Sequence, residues 1–133
     1  MFTFSLNWLA ILGAGVIAMV AGFIWYSKPL FATSWMKYSG LKQQDMKPNP
    51  VLFLFTFLAA LVAAYILANL VKNFAAGSFV SGMGIGFVAS LLPFTALLST
   101  FLFERKPFQL LLIDGLYHVV WMTVAGGLLA LWV

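Results

Sequence analysis

The chain has 133 residues, 64% of them hydrophobic and only 8% charged, with a mean hydropathy of +1.06 and a formal net charge of +4. Soluble domains carry about 25% charged residues, so this chain is too apolar to cover a water-facing surface. That excludes a soluble enzyme and a disordered tail, and the absence of cysteine excludes a disulfide scaffold.

An integral membrane protein remains. A span needs about 20 apolar residues, and four segments supply them. The first, over 8–26, carries no charge. No Lys or Arg precedes it and its apolar run exceeds a signal-peptide core, so it is expected to be a mature helix. The second runs over 51–71, the third over 79–103 and the fourth over 108–132. Their continuous apolar runs do not match the short alternating segments of a barrel. The expected fold is therefore all-α, a single transmembrane domain over 1–133: an integral membrane four-helix bundle with a short interfacial helix in its first cytoplasmic loop.

That helix is expected over 29–39. Pro29 can open it and Gly40 can close it. Phe31, Trp35 and Tyr38 fall at helical spacing, as on a helix lying along a leaflet. Orientation follows from the positive residues. Lys28, Lys37, Lys42 and Lys47 lie between spans one and two, and Arg105 and Lys106 between spans three and four; the opposite side has only Lys72. Positive loops stay cytoplasmic, so both termini are expected outside. Charges so few and scattered leave no nucleic-acid footprint. The turns over 73–78 and 104–107 are short enough to make spans two, three and four antiparallel neighbours.

Helices in lipid associate by close backbone approach, and each span carries small residues at four-residue spacing. These are Ala10, Ala14, Ala18 and Gly22; Ala60, Ala64 and Ala68; Gly82, Gly86 and Ser90; and Gly126 with Ala130. They are the expected packing residues, serving either this bundle or a homo-oligomer.

Asp114 is the one charge inside a span. Counting from Pro107 at 1.5 Å per residue, it lies about 10 Å deep and His118 about 16 Å deep. The four-residue spacing puts both on one face. A carboxyl at that depth must be neutralised or hydrogen-bonded. The pair is a structural network fixing the fourth helix, a proton relay, or a holder for a polar head group or cofactor. It holds too few ligands for a metal within one chain. Thr56, Thr95 and Ser99 lie at comparable levels, and Pro93 frees the carbonyl of Ala89 near the midplane, so Ser90 or that carbonyl is expected to face His118. No nucleophile with an oxyanion site is present. No cofactor is expected.

Three stretches resemble a bacterial family of small four-span membrane proteins, domain-of-unknown-function family 1761. They are Asn7-Trp8-Leu9-Ala10; Trp25-Tyr26-Ser27 with Pro29-Leu30-Phe31 and Trp35-Met36; and Leu112-Ile113-Asp114-Gly115-Leu116-Tyr117-His118 with Gly126 and Gly127. They run in order along the whole chain, and the second is the most specific. The resemblance implies four helices and a bacterial cytoplasmic membrane, and no activity. Two positions depart from the family. It often has proline directly after the Trp-Tyr-Ser element, where Lys28 stands, and often an amide where Asp114 stands. The second departure weakens any mechanism that needs a carboxylate.

The functional expectation is a polytopic protein that is not an enzyme. It works by helix packing as an accessory or self-associating bundle, with the lipid bilayer and a larger membrane complex or further copies as partners. The alternative is a small proton-coupled transporter or channel using Asp114 and His118. In size and span count it resembles the small multidrug transporters, but those place their essential acidic residue in the first span, which here has none.

Overall fold

The computed structural model describes residues 1–133, and every regular element is helical. Four helices are long and apolar enough to cross a membrane: α1 (Trp8–Trp25), α3 (Pro50–Asn73), α4 (Phe79–Phe103) and α5 (Phe108–Trp132). A short helix, α2 (Ala32–Ser39), lies between the first two.

Local chemistry sets the helix ends. Asn7 and Asn49 cap α1 and α3 by accepting from the backbone N–H groups of Leu9 with Ala10, and of Val51 with Leu52. Ser78 and Ser81 form a reciprocal capping pair at the start of α4. Both tight turns pass through a left-handed residue that is not glycine, Ala75 (φ 51) after α3 and Arg105 (φ 56) after α4. Each turn is closed by the next amide reaching five residues back, Ala76 to Val71 and Lys106 to Phe101. The stretch Pro29-Leu30-Phe31 is a turn, so α2 starts three residues later than its proline suggests.

α5 is the central helix and touches all four others. Its tightest partner is α4, and glycines set the distance. A Cβ on Gly82 would overlap the carbonyl of Gly126, and one on Gly86 would overlap that of Met122. Ala10, Ala14 and Ala18 of α1 share one core with Ala60, Ala64 and Ala68 of α3 and with Trp121, Met122, Ala125 and Leu129 of α5. The expected packing residues of all four spans thus lie at contacts within the chain, Gly22 against Tyr117 included. The large residues Val16, Phe55, Val62, Val88, Leu92 and Leu131 face outward, as a lipid-facing surface requires.

Consecutive helices are not equally close. α3 leans on α1 and α5 and meets α4 only lightly. Ala59, Ala60, Ala63 and Ala89 are too short to fill the space between them, and a cleft remains there.

Residues 1–6 are fastened to the far end of α3. Asn69, fully buried, accepts from the Thr3 amide at 2.7 Å and donates to the Tyr65 carbonyl at 3.1 Å. Tyr65 donates to the Thr3 carbonyl, Lys72 donates to the Ser5 carbonyl, and the terminal amine donates to Asn73. Asn69→Ala strands the Thr3 amide, at a cost of about 1–3 kcal/mol. Faster hydrogen exchange at Thr3 and Ser5, with α4 and α5 unchanged, is the expected result.

Candidate functional site

The polar residues of α5 lie where α1, α2 and α3 converge on it. The Trp-Tyr pair at the end of α1 points both polar tips at α5. Trp25 Nε1 donates to the Ile113 carbonyl at 2.8 Å, and the Tyr26 hydroxyl donates to Asp114 Oδ1 at 2.7 Å. From α2, Trp35 Nε1 donates to the same Oδ1 at 3.1 Å. One carboxyl oxygen therefore takes two donors from two other segments. Aromatic packing supports the arrangement, with Tyr26 edge-on to Trp35 at 5.9 Å and tilted against Tyr117 at 5.7 Å.

Residues 9–130, nearly the whole chain, match the family described as a protein of unknown function (DUF1761). The chain belongs to that family. No curated protein and no solved structure matches it. Within this DUF1761 member, two of the stretches that carry the resemblance meet at one atom: Tyr26 and Trp35 on one side, Asp114 on the other.

α2 is docked rather than free on the surface. Trp35 and Tyr38 pack against Phe101 at the end of α4 and Leu110 and Leu111 at the start of α5. Its aromatic stripe thus covers the end of the bundle, and Trp35 reaches past it to Asp114.

Asp114 and His118 share a face but not a hydrogen bond. His118 Nδ1 accepts from Trp121 Nε1 at 3.2 Å. An indole N–H only donates, so Nδ1 is unprotonated and a neutral His118 carries its proton on Nε2. Asp114 and His118 therefore sit in two separate arrangements, each anchored by tryptophan. Trp121→Phe removes the donor that holds the tautomer. The ¹⁵N spectrum of His118 is expected to shift from a single Nε2-protonated form to a mixture, with Asp114 and its two donors in place.

The hydroxyls expected beside the pair lie elsewhere. Thr56 donates to the Leu52 carbonyl, Thr95 to those of Leu91 and Leu92, and buried Ser90 to that of Phe87. Each satisfies itself on its own helix, the usual solution for Ser and Thr in apolar helices. Ser99 is exposed. Ala89 and Pro93 line the same cleft as His118, with Ser90 turned away to its own backbone. Tyr117 joins the site from α5 by donating to the Ala18 carbonyl at 2.7 Å.

Counting charges and depth singles out Asp114 and misses its partners. Tyr26 and Trp35 read as interfacial aromatics because tryptophan and tyrosine gather at membrane interfaces anyway. The signal that could have found Tyr26 is the Trp25-Tyr26-Ser27 element itself, whose two ring donors need acceptors; Trp35 follows in the same stretch of the resemblance.

Proposed function

We propose that this protein is a non-catalytic accessory bundle of a bacterial cytoplasmic membrane, with both termini outside. It acts by holding α2 and the lysine-bearing loop in a fixed place on the cytoplasmic face, beside a larger membrane complex or further copies of itself. The observation that carries this reading is the double hydrogen bond at Asp114 Oδ1, which ties the end of α1 and the whole of α2 to α5. The one intramembrane charge is then a structural fastener, and a packing role needs no nucleophile, cofactor or metal.

Native mass spectrometry of the protein, gently extracted from its own membrane, tests this. A stoichiometric foreign subunit or a defined multiple of the chain is the expected result; a bare single copy overturns it. The chain has no cysteine, so single cysteines report orientation directly. Lys37→Cys is expected to label only from the cytoplasmic side and Ser5→Cys only from outside.

A second reading, transport, is favoured by one observation: the cleft that His118 lines shares Ala18, Thr56 and Tyr117 with a second cavity beside α2. Proteoliposomes with pH-driven uptake lost in Asp114→Asn would establish it. Equal behaviour of the two proteins would remove Asp114 from any proton pathway.

A further inference from the structure

Two cavities meet at Ala18, Thr56 and Tyr117. The outer one, about 880 Å³, opens among α1, α2, the 41–49 segment and the head of α3. Lys28, Lys47 and Asp45 line its mouth, and Asp114 lines it further in. The inner one, about 350 Å³, continues between α3 and α4 over α5. Apart from Thr56, Pro93 and His118, its lining is aliphatic or aromatic. Both volumes are of the order of small-molecule sites, which run from about 300 to 1,000 Å³. Exposed Ile66 and Leu92 flank the inner cavity, so it opens sideways toward lipid.

The chemistry along this path is ordered. Innermost is an apolar slot. Its volume of about 350 Å³ is that of about a dozen water-sized units at about 30 Å³ each, enough for one apolar chain of medium length. Next comes Asp114. Its Oδ1 is filled by Tyr26 and Trp35, while Oδ2 has no protein donor on a residue that lines the cavity. No unpartnered side-chain oxygen is fully buried, so Oδ2 faces accessible space and is free to accept from a ligand, and an ionisable group inside a membrane marks a functional site by default. Outermost are Lys28 and Lys47, which suit an anionic head as charge-assisted donors, beside Asp45, whose carboxylate accepts from the Lys42 amide.

We propose that this slot, carboxyl oxygen and lysine mouth together bind a single-chain amphiphile. Its hydroxyl lies beside the chain and an anionic phosphate lies beyond that, as in a monoacyl glycerophosphate lipid. The chain enters between α3 and α4. The hydroxyl donates to Asp114 Oδ2, and the phosphate meets Lys28 and Lys47. Amphiphiles lacking either the hydroxyl or the phosphate lose one of the two polar contacts. This site is independent of whether the bundle acts alone or beside a complex.

The test uses the full chain in nanodiscs of dioleoylphosphatidylcholine, with three probes of equal chain length. These are 1-lauroyl lysophosphatidate, dodecyl phosphate without the hydroxyl, and 1-monolauroylglycerol without the phosphate. Bound mass is read by native mass spectrometry. The lysophosphatidate is expected to bind at least tenfold more tightly than either control. Thr56→Phe fills the junction of the two cavities without touching the polar site, since the Thr56 hydroxyl bonds only its own helix. It is expected to weaken lysophosphatidate at least tenfold with an unchanged thermal midpoint. Ala63→Phe, in the inner cavity, serves if that variant fails to fold. Either control binding within threefold of the lysophosphatidate overturns the proposal, as does unchanged affinity in a folded blocking variant.

Discussion

Gly86→Val is expected to force α4 away from α5 and to cost the folded bundle about 3 kcal/mol or more. The new side chain has no rotamer that escapes, because its Cβ alone would overlap the Met122 carbonyl. A backbone carbonyl on a straight helix cannot step aside as a flexible side chain can. In lipid, no hydrophobic gain between the helices offsets the lost contact. Gly84 supplies the control on the same helix. Nothing lies within 4 Å of the Cβ it would gain, so Gly84→Val is expected to change stability by no more than about 0.5 kcal/mol. Unfolding by sodium dodecyl sulfate in mixed micelles, followed by circular dichroism, distinguishes the two. Equal losses would show that the α4–α5 contact does not set the cost at Gly86.

The contrast between Gly84 and Gly86 marks how far the sequence could be read. Four long apolar runs demand four helices because nothing else satisfies a backbone in hydrocarbon. The four-residue spacing of glycine and alanine shows which face of each helix can approach another. It does not show which helix accepts the approach. The short turn over 74–78 brings α3 and α4 side by side, yet four alanines leave a cleft between them. Turn length sets neighbourhood; side-chain volume sets contact. The polar site divides in the same way. Asp114 stands out because a lone charge in a span needs a partner. Counting depth ranks Thr56, Thr95, Ser99 and Ser90 by height along the bundle, but height does not give direction around each helix. The partners that reach Asp114 come from 79 and 88 residues away. They approach through aromatic rings whose interfacial positions already had an ordinary explanation. The i, i+4 spacing put His118 beside Asp114 in projection, while Trp121, one turn further along, took its nitrogen.

Asp114→Leu is expected to release α2 and to cost about 2–5 kcal/mol. The hydroxyl of Tyr26 and the indole N–H of Trp35 both lose their acceptor, and each stranded donor costs about 1–3 kcal/mol. Hydrogen exchange over residues 32–39 should rise first, because α2 has no buried residue of its own to hold it. Asp114→Asn should behave differently. Both donors converge on one oxygen, and an amide keeps an oxygen in that place, so the loss is expected to stay within about 1 kcal/mol with α2 still protected. The asymmetry can be checked from the donor side. Tyr26→Phe combined with Trp35→Phe removes the two donors, so adding Asp114→Leu to that pair should cost less than Asp114→Leu alone, because no donor is left stranded. A carboxyl that fastens by accepting is interchangeable with an amide. One that fastens by charge is not, and an Asp114→Asn protein as damaged as Asp114→Leu would show that the charge holds α2 in place.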